Sequence, residues 1–133
     1  MAIPHTPADY VQQAAHNAAL AGYLRANKIE YLDWAATCLF YAAVHYVNAY
    51  LIKFNIVIPR RHRGSEPKNK PGRLNIVQQD STLKTIYSNY RHLDDESRDA
   101  RYELKKPSSD DYDKFLVGQL QKIKDYIVPK VTN

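Results

Sequence analysis

The chain has a single cysteine, Cys38, among 133 residues, so it can neither close an internal disulfide nor build a multi-cysteine zinc site. That usage fits a reducing compartment, and a cytoplasmic location is the expectation. The four glycines, Gly22, Gly64, Gly72 and Gly118, are scattered. Without a glycine loop to cradle phosphates, nucleotide hydrolysis and dehydrogenase chemistry are set aside. Long apolar runs are also missing. Asp33, His45 and Asn48 interrupt the most apolar stretch, which falls short of the ~18 unbroken apolar residues of a membrane span. Met1 to Tyr10 carries no basic start followed by an apolar block, so no signal peptide is expected. No His, Asp or Glu pair has ligand spacing, and neither a metal nor another cofactor is expected.

The residues that are present have globular proportions, 44% apolar and 25% charged, with a mean hydropathy of -0.57. That length and composition predict one domain, residues 1–133, around one core. The net charge is +5, but it is local. Lys53, Arg60, Arg61, Arg63, Lys68, Lys70 and Arg73 face Glu66 alone within one short stretch, which leaves the remainder near neutrality. Pro59, Pro67, Pro71, Gly64 and Gly72 punctuate the same stretch, so a basic loop is predicted over about 55–73. Arg60, Arg61, His62, Arg63, Lys68, Lys70 and Arg73 are its candidate nucleic-acid ligands, because phosphate contacts give affinity without sequence preference. A solvated loop is the equally open alternative. No aromatic side chain follows Phe54 there on which a base could stack.

On either side of the loop the pattern is helical. Thr6, Pro7 and Asp9 supply a cap, a first-turn proline and an early carboxylate for a helix to about Ala26. A second helix is predicted from about Tyr31 to Phe54, where Phe40, Val44, Val47 and Leu51 recur at helical spacing. Trp34, Cys38, Tyr41, His45 and Asn48 form a second stripe on it, so this helix is apolar on most sides and central. A third is expected from about Leu74 to Leu93, followed by a segment holding Arg98 to Leu104. Ser108 or Ser109 starts the last, with Phe115, Leu116, Leu120, Ile123 and Ile127 inward and a stop at Pro129. The economical fold is all-α, an up-and-down bundle of four to five helices. The eleven tyrosines predict an interface and a homodimer, since tyrosine offers large area and tolerates water.

Four features together resemble the HEPN superfamily: "YLDWAATCLFYAAVHYVNAYL", a basic loop containing histidine, "IYSNYRHLDDESRDARYEL" and a closing amphipathic helix. The resemblance covers about the whole chain. It implies a helical bundle that dimerises through its central helices, with paired Arg and His residues in a cleft between protomers. Many members are RNases whose site is an Arg followed a few residues later by His. Here Arg98 is followed at those positions by Glu103, Leu104 and Lys105, and Arg101 by Lys106, Pro107 and Ser108, so the motif histidine is absent.

Metal-independent RNA cleavage needs a proton acceptor, a proton donor and a cation near the phosphate. Arg98 supplies only the cation, because arginine stays protonated. Two readings follow. The first is a non-catalytic HEPN-like dimer that binds RNA, a nucleotide or a protein partner, in a toxin-antitoxin or defence setting. The second is a divergent RNase using Arg98 with Tyr102, one helical turn on, or with a histidine, His45 being the candidate on the central helix.

Overall fold

The computed structural model describes residues 4–64 and 71–132, and among these every regular element is helical. Helix α1 spans Pro7–Asn27 and α2 spans Leu32–Lys53, joined by a 3₁₀ turn over Ile29–Tyr31. Then come α3 (Arg73–Gln79), a 3₁₀ turn (Leu83–Ile86) and α4 (Tyr87–Tyr102). The chain closes with the short α5 (Ser109–Asp111), a π-helical turn (Tyr112–Leu116) and α6 (Val117–Val131). The expected all-α bundle is what the chain forms.

Its architecture follows from α2, which packs against α1, α4 and α6. Fifteen of its residues are buried, from Leu32 to Leu51. A helix apolar on nearly every side has to be surrounded, and burying its Val, Leu, Phe and Tyr side chains contributes about 1.5–3 kcal/mol each. The stretch Ile29–Lys53 is also long and apolar enough to cross a membrane, but 78% of its most apolar window is buried within the bundle. Its hydropathy is that of a core helix.

The start of α1 is as the sequence predicts. The Thr6 hydroxyl accepts from the Asp9 amide at 3.2 Å while the Asp9 carboxylate accepts from the Thr6 amide at 2.8 Å. This reciprocal pair satisfies two amides the helix itself cannot.

Three local expectations are corrected. The predicted third helix is broken, because the Asp80 carboxylate accepts from the amides of Thr82 and Leu83 at 2.8 and 2.9 Å and from the Tyr50 hydroxyl at 3.2 Å. An aspartate that captures amides two and three residues ahead turns the chain. Phe115, expected in the core, is 53% exposed, because the π-helical turn shifts the phase so that Tyr112 and Leu116 point inward. Burial there pushes the Tyr112 hydroxyl up to about 12. Finally, α6 runs through Pro129 to Val131. A proline in the last turn gives up one helical amide, while Val131 is buried beyond it.

A candidate anion site between the central helix and the basic loop

The basic loop is fastened to the bundle at both of its described ends. The Arg73 and Leu74 amides donate to the carbonyls of Arg61 and His62 at 2.8 and 2.7 Å. The Asn75 side-chain oxygen accepts from Gly64 and Gly72 at 2.7 and 2.9 Å. Gly72 is needed for this closure. A Cβ on it would stand 2.2 Å from the Arg63 carbonyl carbon.

Closure carries three loop cations to different fates. Arg73, at the start of α3, is only 5% exposed. Its guanidinium donates to the Asn48 side-chain oxygen at 2.9 Å, to His62 Nδ1 at 3.0 Å and to the Pro59 carbonyl at 3.1 Å. Arg63 turns towards α4, where it donates to Asp94 at 2.9 Å and also to Asp95. Asp94 is fully buried, and burial raises its carboxyl above the ordinary range, with Arg63 pulling only part of that back. Arg60 stays exposed. Lys68 and Lys70 lie outside the described residues.

His62 is the pivot of the site. Arginine can only donate, so Nδ1, which faces Arg73, is an acceptor, and the proton of the neutral ring belongs to Nε2. That nitrogen lies 3.3 Å from the Tyr41 hydroxyl oxygen, which also accepts from Arg101 at 3.1 Å. With both neighbours donating into it, Tyr41 keeps its own hydrogen free for a ligand. Burial pushes His62 down to about 4, with help from Arg73, Arg101 and Arg98 in that order. The imidazole is therefore neutral at neutral pH and both of its nitrogens are committed. It offers no free base and no imidazolium acid.

The cations facing this pivot share a second property. Among the described residues, Arg73, Arg98 and Arg101 make no ion pair with a carboxylate. Arg101 also donates to the Ser97 carbonyl at 3.2 Å, and its guanidinium carbon lies 5.1, 5.7 and 5.9 Å from the ring centres of Tyr102, Tyr41 and Phe40. Cation–π contacts of this kind hold a guanidinium without neutralising it. Arg101 is bonded to a hydroxyl with a free hydrogen, and the charges of Arg73 and Arg98 act on the adjoining His62, which makes this a candidate anion seat.

The predicted catalytic residues divide. Arg98 is exposed on α4 and adds its charge to the field at His62. Tyr102 is exposed and serves as one of the rings against Arg101. His45 turns towards α1, where its ring stacks on Tyr10 at 6.1 Å and lines a cavity of about 580 Å³ with His5, Asp9 and His16. Its Nδ1 has no hydrogen-bond partner among the described residues, and burial followed by Arg73 lowers its pKa. Tyr41 and Arg101 are the residues of this candidate site that the sequence reading passed over. Tyr41 was visible as a member of the second α2 stripe and Arg101 as the second arginine of "SRDARY". Compared with protein-family models, curated proteins and solved structures, the chain gives no match.

Proposed function

We propose that this chain is a non-catalytic, HEPN-like RNA-binding domain whose phosphate seat is formed by Arg101, Tyr41 and Arg98, with Arg73 behind them. The observation that carries this reading is Arg101 bonded to the Tyr41 hydroxyl beside His62, with Arg73 on the other His62 nitrogen and neither arginine paired with a carboxylate among the described residues; the charge of Arg98 adds to theirs at the ring. The committed nitrogens of His62, the histidine at this seat, favour binding over cleavage there, because a ribonuclease has to remove the 2′-hydroxyl proton. The test is metal-free incubation of wild type, Arg98→Ala and Arg101→Ala with a mixed labelled RNA pool. Intact RNA that is retained by wild type, more weakly as salt rises, and about tenfold less by Arg101→Ala is the expected result. Cleavage by wild type that disappears in Arg98→Ala would replace this reading with the divergent RNase. Absence of retention at low salt would remove both.

Self-association belongs to the same reading. Leu20 and Tyr23 on α1 and Phe115 and Val117 near the start of α6 are exposed, and Val117 shares a groove with Ala15, Ala18, Ala19 and Gly22. Sedimentation equilibrium is expected to give twice the 15.4 kDa chain mass, and a single-chain mass at high concentration would remove the dimer.

A further inference from the structure

Arg101 has a second face. Besides the Tyr41 site it lines a pocket of about 390 Å³ between the start of α2 and the end of α4, together with Asp33, Trp34, Thr37, Ala100 and Leu104. Trp34, the only tryptophan in the chain, is 56% exposed on this rim. A large ring left half in water beside a cation differs from a core tryptophan, which would be covered. Across the pocket Leu104 is 91% exposed and its backbone has φ of 56°. A branched apolar residue is unfavourable in that left-handed region, where glycine or asparagine is usual.

The polar wall suits the edge of a base. Asp33 accepts from the Trp34 amide at 2.9 Å through one oxygen, and the Thr37 hydroxyl donates to the Asp33 carbonyl at 2.9 Å. The other carboxylate oxygen of Asp33 has no hydrogen bond among the described residues, so it is available to accept from an exocyclic amine or ring N–H. Phosphate is excluded from that end by the same carboxylate and drawn to the other by Arg101. A ligand that is flat and uncharged at one end and anionic at the other matches this polarity.

We propose that the Trp34 pocket takes one unpaired base of a single-stranded RNA, stacked on the indole, with the adjoining phosphate on Arg101 and Tyr41. This deepens the RNA-binding reading above and rests on it. The basic loop has no aromatic residue after Phe54, and Trp34, which lines the same pocket as Arg101, supplies the stacking surface. Base stacking of this kind tolerates all four bases, so affinity for unpaired RNA is expected without a strict sequence.

Because Trp34 is the sole tryptophan, its fluorescence, excited beyond tyrosine absorption, reports this pocket alone. A short oligouridylate is expected to quench it saturably, while inorganic phosphate competes for Arg101 without quenching. An abasic oligomer of equal charge is expected to bind about tenfold more weakly than the oligouridylate, and Trp34→Ala to lose the same factor. Leu104→Gly suits the left-handed backbone and keeps the chain folded, so its weakened binding reads the pocket rather than stability. Equal affinity for abasic and base-bearing oligomers, or undiminished binding by Trp34→Ala, would overturn the base pocket and leave the phosphate seat standing. Failure of the oligouridylate, the abasic oligomer and phosphate alike to bind would remove both.

Discussion

Arg63→Met is expected to lower stability by about 3–5 kcal/mol, the cost of leaving one member of a buried ion pair alone. For a chain of this length that is a fall of roughly 10–18 °C in Tm. The reason lies with Asp94, which is fully buried, has one oxygen bonded to Arg63 and, among the described residues, has no hydrogen-bond partner for the other. Burial already raises its pKa with the arginine present, and loss of the arginine raises it further. A carboxyl whose folded pKa exceeds its unfolded value binds protons more readily when folded. Its penalty is therefore largest at neutral pH and shrinks as pH falls through the folded pKa. Two results follow. The deficit of Arg63→Met narrows on acidification, and Asp94→Asn in the Arg63→Met background recovers most of it. Denaturant unfolding of the four proteins of that cycle measures both, and a pH-independent deficit unchanged by Asp94→Asn would place the cost elsewhere. Asp95, which is partly exposed, is expected to matter far less, because exposed pairs contribute about 0–1 kcal/mol.

How much of this was legible in the sequence depends on range. The Thr6 cap and the all-round apolarity of α2 are local facts, and both elements form where expected, within one residue or so at their ends. The Asp80 turn was equally local and was missed, although Asp80-Ser81-Thr82 is a turn signal inside an otherwise helical pattern. Phe115 was misplaced because a π-helical turn breaks the 3.6-residue phase on which the inward assignment depended. The site was the least legible part, since its bonds join residues far apart in the chain. Arg63 reaches Asp94 across 31 residues and Arg101 reaches Tyr41 across 60. Nothing in the sequence signalled that the loop would deliver Arg63 to Asp94 and Asp95. Sequence reasoning also treated the loop cations as one group, sharing either a phosphate-binding role or a solvated one. Burial of Arg73 and pairing of Arg63 turn two of them into framework and leave the ligand to arginines of α4. The "SRDARY" segment marked the right helix, and only tertiary packing distinguished Arg101 from Arg98.

Arg73→Met is expected to cost about 2–4 kcal/mol at neutral pH, and that cost is expected to fall as the solution is acidified. Three hydrogen bonds from a charged donor are lost, leaving Asn48, His62 Nδ1 and the Pro59 carbonyl without it, and such bonds contribute about 1.5–3 kcal/mol each. Relief of a buried, uncompensated cation offsets part of the sum. The pH dependence comes from His62. Its folded pKa, about 4, lies below the ordinary 6.5, so between those values the unfolded chain binds the proton that the folded chain refuses. Wild-type stability therefore falls as pH drops from about 6.5 to about 4 and levels below that, by roughly 2–3 kcal/mol after allowing for partial exposure of the ring. His45, also lowered, acts in the same direction, while the raised Asp94 and Glu96 oppose it at the acid end. Burial is the largest cause at His62 and Arg73 the next. Arg73→Met is thus expected to flatten the slope without abolishing it, and His62→Gln to remove the His62 part whether or not Arg73 is present. Unfolding free energies at half-unit steps between pH 4 and 7 resolve these cases. A deficit for Arg73→Met that stays constant over that range, or whose pH dependence is the same with and without His62→Gln, would show that Arg73 holds the loop without setting the charge state of the His62 imidazole. If the slope flattens as expected, the guanidinium that buries itself to close the loop also adds to the burial that keeps His62 neutral. That leaves Arg98 and Arg101 as the exposed and partly exposed cations free to meet a phosphate.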